Sequence, residues 1–445
     1  MQLFNELLLK FEQADWSRNP EFGLIDTIFE THPELYLIVK DDITKGLKDS
    51  NFGRKDVPTV EQIVRAAIFK EMKGYDYREL EYAQSDSRIC TNFIKLDDRH
   101  PFSFQMFQKY ISKIQPGSLS KLLVEINRIA IAAGYEDMQS LRQDSTVVES
   151  NIHFPTNNSL VLDCIQESTR LLYQLKQEIN SLAFLDYTKT AKKTYFKINV
   201  AKSKDKQAVL FQKQLIIFTK VINQTSNIIK KKFVGSLKVA SIQLRLEELL
   251  PLMKQVYDFT YRKQIKGETV ANDKKIFSIY ELHTDIIVKG SREIQFGHKV
   301  NLATGKSNLI LDCEVVKGNP SDSTLYKPTI ERVINNYGIV PRDTVTDGGY
   351  ASLDNMNFSK EKGILNIVFN KIVGSLKNMA SSLNMETRLK KWRSGIEANI
   401  SNFKRGFNIS RCDWKGWEHF QTKVLWSALA YNFRVLTNRT IEMMV

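Results

Sequence analysis

Hydrophobic spacing along the 445-residue chain changes period several times, and each change marks a region. Up to about Gly134 the apolar positions recur at helical intervals. Residues Pro58 to Gln62 read as a helix start, with Thr59 capping and Gln62 returning the bond. Ile63, Ala66, Ala67 and Lys70 follow at helical spacing, and Gly74 stops the run. Asp76 caps a second helix from Tyr77 to about Gln84. A third begins near Ser103 and runs through Phe107, Tyr110, Ile111 and Ile114 to a break at Pro116-Gly117. Short helices joined by tight turns resemble a helix-turn-helix module; the ordinary reading is a helical bundle used for packing or dimerisation.

Past Gly134 the pattern alternates. Ser140 to Val148 is β-like, with Asp144 at its centre. Residues 160 to about 262 return to helical spacing, almost without Pro or Gly, and carry the lysine groups Lys192-Lys193, Lys202 to Lys206 and Lys230 to Lys232. Such runs are ordinarily solvated helix faces; the alternative is contact with a polyanion. Strands are predicted at Ile276–Tyr280, Gln295–Leu302 and Leu309–Val316, the last two joined by a turn over Ala303–Asn308. A helix from Leu325 to Tyr337 precedes a short strand, Asp343–Asp347. Near the C-terminus, Ile396, Ile400, Phe403 and Phe407 form one apolar stripe, and Lys390, Arg393, Glu397, Ser401 and Lys404 run beside it. The expected architecture is multidomain, α+β or α/β. It has a helical N-terminal domain at 1–134, for DNA binding or dimerisation, and a second domain at 135–445 interrupted by a helical insertion at about 160–265.

Composition narrows the classes. A hydrophobic fraction of 42% is ample for cores. The net charge of +14 and an isoelectric point near 9.3 point to a polyanionic partner. Cys90, Cys164, Cys313 and Cys412 lie far apart without a CxxC pair. That pattern speaks against structural zinc and a disulfide framework, and fits a reducing, cytoplasmic setting. No apolar run approaches the roughly 20 residues of a membrane span. The amphipathic N-terminus, with acids among its leucines, does not read as a signal peptide.

Asp144, Asp347 and Glu397 carry the candidate chemistry. Taken singly each has an ordinary reading: Asp347, before Gly348-Gly349, is a turn acid, and Arg393–Glu397 is a surface pair contributing about 0.3–0.5 kcal/mol. Together, in a basic protein, three separated carboxylates suggest acids gathered around Mg²⁺, which takes oxygen ligands and is held by one or two carboxylates plus substrate phosphate. A strand ending on an acid also suits an open α/β sheet, whose sites lie beyond the carboxyl ends of its strands. Lys390, Arg393, Lys404 and Arg405 are then the candidate phosphate contacts. His153 and His283 read first as hydrogen-bonded structural histidines. Trp392, Trp414 and Trp417 read first as core, with stacking on a displaced base as the alternative.

Five blocks, in order, carry a resemblance: residues 60–81, 143–152, 276–285, 345–350 (Val-Thr-Asp-Gly-Gly-Tyr) and 393–401 (Arg-Ser-Gly-Ile-Glu-Ala-Asn-Ile-Ser). Through them the chain resembles bacterial insertion-sequence transposases of the DDE type, close to the ISNCY-like group. The resemblance implies an RNase H-like catalytic domain with a mixed sheet and Asp144, Asp347 and Glu397 as the metal-binding triad. It implies two Mg²⁺ (or Mn²⁺) ions, and cleavage of element ends followed by joining to target DNA. The expected partners are double-stranded DNA, as terminal inverted repeats and target, and a second copy of the chain when DNA is bound. Two alternatives stay open: a metal-dependent nuclease or resolvase on the same fold, and a transposase-derived DNA-binding protein without activity.

Overall fold

The capping signals of the first third act as read. In this computed structural model residues 16–46, 57–96, 100–289, 293–372 and 374–444 are described. The N-terminal residues 1–15, which carry the amphipathic pattern, lie outside them. The chain opens with helices α1 (Pro20–Thr31), α2 (Leu37–Thr44), α3 (Val60–Lys73), α4 (Tyr77–Asp86), α5 (Arg88–Ile94), α6 (Phe104–Ile111) and α7 (Pro116–Ala132). At the start of α3, Thr59 Oγ1 accepts the Gln62 N–H and Gln62 Oε1 accepts the Thr59 N–H, the reciprocal pair expected. Gly74 ends the helix in the left-handed conformation. Asp76 and Glu79 build a second such pair on α4. The break falls just before Pro116-Gly117: α6 ends at Ile111, and Pro116 opens the first turn of α7. Proline suits that position, because the N–H it lacks would have had no partner.

Strand β1 (Ser140–Ser150) follows, then α8 (Asn157–Glu178), α9 (Thr188–Val200), α10 (Lys204–Lys230) and α11 (Leu237–Gln264). The remainder is β2 (Asp285–Lys289), β3 (Glu293–Thr304), β4 (Ile310–Val316), α12 (Asp322–Tyr337), β5 (Asp343–Asp347), α13 (Leu353–Glu361), β6 (Asn366–Asn370), α14 (Leu383–Gly406), β7 (Arg411–Cys412) and α15 (Trp417–Met444). The strand expected at 276–280 is absent. There Ser278 Oγ accepts the N–H groups of Tyr280 and Glu281, so a side chain takes backbone donors that a ladder would need. Ile276 and Ile279 are instead buried against the neighbouring helices.

The sheet is mixed. β1 is antiparallel to β3, with Asp144 opposite Leu302, and parallel to β5, with Gln143 opposite Thr346. β4 extends the sheet antiparallel to β3, and β6 extends it parallel to β5. β2 also pairs with β3 and β7 with β1, making seven strands; within them the order β4-β3-β1-β5-β6, with α12 and α14 supplied by the intervening and following segments, is that of an RNase H-like domain.

The chain divides into two compact units, residues 1–150 with 297–445, and residues 151–296. In the first, the N-terminal helices, the sheet and α15 share one apolar core, from Phe22 and Phe69 through Leu302 and Ile367 to Phe433. The second is built on α8, α9, α10 and α11 around its own core, including Leu172, Phe218, Leu246 and Met253. Lys192, Lys193, Lys202, Lys204, Lys206 and Lys230 to Lys232 are all exposed on it.

Candidate active site

Strand register places two of the three acids side by side. Asp144 and Asp347 each follow the last registered pair of β1 and β5, Gln143 and Thr346. Asp347 is the final residue of β5, and the chain turns away at once through Gly348. A β-carbon on Gly348 would lie 2.4 Å from the Lys371 carbonyl oxygen and 2.8 Å from that of Asn370. Only glycine lets the strand end turn this close to β6.

Helix α14 supplies the third acid. Its stripe is buried at Ile396 and Phe403, with Phe407 buried just past its end, each contributing about 1.5–3 kcal/mol. Phe403 and Phe407 pack on Tyr431 of α15, while Leu389, with Trp392, seats the first half of α14 on Val345 of β5 and Val368 of β6. Arg393, only 7% exposed, then points to the strand acids. Its Nη2 lies 2.8 Å from Asp144 Oδ2 and 3.8 Å from Asp347 Oδ1, and its Nη1 lies 3.1 Å from Glu397 Oε1. All three predicted carboxylates therefore converge on one guanidinium. Their side-chain exposure rises from 17% at Asp144 through 43% at Asp347 to 68% at Glu397, so the cluster opens to solvent on the Glu397 side. Asp144 Oδ1 also accepts the Ser145 N–H at 2.8 Å. The Arg393 Nε is buried without a hydrogen-bond partner.

Arg142 locks the helix to the strand, a role the sequence did not signal. It stands two residues before Asp144 on the same face of β1. Its Nε donates to Thr304 Oγ1, its Nη2 to Asn308 Oδ1 at 2.7 Å, and its Nη1 to the Trp392 carbonyl at 2.7 Å. Its guanidinium lies over the Trp392 ring, 4.8 Å from the centroid. Burial pushes its pKa down to about 10. Gly395 makes room for it, since a β-carbon there would lie 2.6 Å from Arg142 Nη1. On the opposite face, Ser145 Oγ bonds Asp322 Oδ1, which also holds Lys299 Nζ at 2.8 Å. Tyr350 is buried beside them and donates to Asn301 Oδ1. Burial, with the charges of Asp322 and Asp144, holds its phenol well above the usual range.

The remaining predicted residues divide. Lys390 pairs with Glu386 at 2.6 Å, Lys404 Nζ donates to the Val147 carbonyl at 2.9 Å, and Arg405 is exposed. Trp392 packs with the small core of Val345, Val368 and Leu389. Trp414 stacks on Tyr77, and Trp417 packs against His298 and Phe420. His153 pairs with Asp163 and His283 with Glu281, both in the unit at 151–296.

Residues 287–433 match the Transposase DDE domain family. This stretch is similar to transposase DDE domains. It contains Asp347 and Glu397, while Asp144 lies upstream of the matched span, on the strand that pairs with β5. The match supports a DDE-type transposase and a transposase-type function; it does not single out the ISNCY-like group. No curated protein and no solved structure matches the chain. Among the described residues no helix is long and apolar enough to cross a membrane.

Three carboxylates form an all-oxygen donor set of the kind that suits Mg²⁺ or Mn²⁺. Their spacing around Arg393 is that of an ion-pair cluster, and among the described residues no group of three or more His, Cys, Asp or Glu is closed to metal-holding geometry. The donor chemistry fits a divalent cation; the cation now at its centre is a guanidinium.

Proposed function

We propose that the DDE domain cuts DNA at the ends of a mobile element and joins those ends to target DNA, with Asp144, Asp347 and Glu397 as the catalytic carboxylates. The observation that carries this reading is their convergence, from two adjacent strands and a helix, on the one guanidinium of Arg393. Transposases of this family generally use divalent metal ions. Two Mg²⁺ or Mn²⁺ ions held by these acids would activate the attacking hydroxyl and offset charge on the departing oxygen of an in-line displacement at phosphorus.

The chain's own residues set the geometry. Asp144 and Asp347 ride on paired strands, so their backbones hold a fixed separation. Glu397 sits on a helix tied to β1 by Arg142 and by Lys404, so the third carboxylate is presented at a set depth. Arg405 is exposed at the C-terminal turn of α14. We assign it, with Lys390, Lys404 and Arg393, to DNA phosphates, where cations fix register without reading sequence. Double-stranded DNA is the proposed partner, bound by two copies of the chain.

The test is cleavage and joining of a duplex ending in the element's terminal repeat. Asp144→Asn, Asp347→Asn and Glu397→Gln are each expected to abolish both steps while circular dichroism and DNA binding persist. Mg²⁺-dependent cleavage at the wild-type rate in any one variant removes that residue from the triad. Cleavage without joining by the wild type favours a nuclease.

A further inference from the structure

We propose that Arg393 is an exchangeable counter-ion: it fills the metal position of the triad in the metal-free protein and must swing out before the acids can bind metal. The inference rests on the reading of the three acids as a metal site, and adds what holds the three acids together before metal binds.

Three observations carry it. First, the Nη atoms of one side chain meet all three acids at 2.8, 3.1 and 3.8 Å, the place where a shared cation would sit. Three carboxylates gathered without a cation would repel, and the side chain that relieves this is on the same helix as Glu397. Second, the seat is incomplete. Arg393 Nε is buried without a partner, although a buried guanidinium normally satisfies its donors. Leaving the seat recovers hydration for that N–H. Third, the bonds that must break are graded. Glu397 is mostly exposed and its pair is weak by position, while Asp144 keeps the Ser145 N–H when the guanidinium departs. The strand acid therefore stays aimed. The displaced guanidinium remains on the row of Lys390 and Lys404, where a DNA phosphate would receive it, so metal entry and phosphate capture become one exchange of partners.

The consequence is a competition. A binding-competent conformer that is the minor state of a two-state equilibrium is commonly populated at about 0.1–10%. Apparent affinity is reduced by that fraction. Removing Arg393 removes the competition, so metal affinity should rise by about tenfold or more.

The experiment is a Mn²⁺ titration of the full chain without DNA, followed by thermal shift and by calorimetry. It compares wild type, Arg393→Ala, Arg393→Gln and Asp144→Asn. Expected are a Mn²⁺ midpoint at least about tenfold lower in both arginine variants than in wild type, and a lower Tm than wild type when all are in EDTA. Asp144→Asn should lose the response. A response seen only in the arginine variants supports the proposal equally. Midpoints equal to or above wild type in both arginine variants, with wild type responding and Asp144→Asn silent, overturn the exchange and leave the metal site standing. No response in wild type or in either arginine variant sinks the metal reading of the acids and this inference with it. An arginine that only braces the fold would lower both stability and metal affinity on removal; a counter-ion of the acids lowers one and raises the other. Arg393→Gln keeps most of the side-chain bulk, so if Arg393→Ala alone fails to fold, the Arg393→Gln midpoint decides: lower than wild type supports the exchange, equal or higher overturns it.

Discussion

Arg142 and Asp144 stand two residues apart on one strand, and only the acid was visible in the sequence. An aspartate in a β-like run of a basic protein has a chemical reason to attract notice. A buried arginine without a carboxylate does not, because its three oxygen partners come from Thr304, Asn308 and the Trp392 backbone, more than 150 positions away. Arg393 was visible as one of a basic row, yet its direction was not. Spacing gives a helix face and its neighbours three or four residues away, whereas the pairing with Asp144 is set by how α14 lands on the sheet. Gly395 tests that landing. A β-carbon 2.6 Å from Arg142 Nη1 must displace a group that donates to Trp392 and cannot simply turn to solvent. Gly395→Ala is therefore expected to destabilise the first unit by about 1–3 kcal/mol, the usual range for overpacking, and to weaken the Mn²⁺ response of the triad. Thermal denaturation in EDTA measures the first effect. An unchanged Tm would show that the arginine yields and that the contact does not hold α14.

At the level of elements, the readings that succeeded rest on local signals. The caps at Thr59 and Asp76, the stop at Gly74, the strand Asp343–Asp347 and the apolar stripe of α14 each depend on residues within a turn or two of one another. The strand read at 276–280 failed on an equally local feature: a serine able to accept two backbone N–H groups outcompetes a ladder that needs a distant partner. The match of β1 to β5, which sets Asp144 beside Asp347, was not legible, because a parallel pairing between segments 200 positions apart leaves no trace in either one. The end of β5 is the element on which the site depends most. Gly348→Ala would place a β-carbon against the Lys371 and Asn370 carbonyls, which are backbone and cannot rotate away. The ends of β5 and β6 must then part, carrying Asp347 with them. Misplacement of a reacting group by 1 Å can cost on the order of 10²-fold in rate, and a loss of about that size in end cleavage is expected, with DNA binding retained. Wild-type cleavage by a stably folded Gly348→Ala protein would mean that Asp347 is not held by this turn.

Across the whole molecule, composition foretold a polyanion partner but not where the charge lies. Residues 151–296 contain 24 Lys and Arg against 13 Asp and Glu, a net of +11 out of the +14 of the entire chain. The unit holding the three acids is close to neutral in sum, and of its candidate phosphate contacts Arg393 and Lys390 are already paired with carboxylates and Lys404 with a carbonyl. The segregation predicts that most of the electrostatic affinity for DNA resides in the helical insertion. Each phosphate neutralised on duplex DNA adds a slope of about −0.9 to log K against log salt. Replacing Lys192, Lys193, Lys202, Lys204 and Lys206 together with Gln in the full chain removes five exposed charges from α9, its C-terminal loop and the start of α10, none of which takes part in the core of that unit. If even half of them meet phosphates, the slope should flatten by about two units, on element-end and random duplexes alike, because such contacts position without specifying. Arg405→Ala, on the unit with the acids, should flatten it by at most about one. Salt titrations of binding on both duplexes decide between the two locations. An unchanged slope in the five-lysine variant, with its helical content intact, would return α9 and α10 to the role of a solvated surface and leave the DNA to the unit that carries Asp144, Asp347 and Glu397.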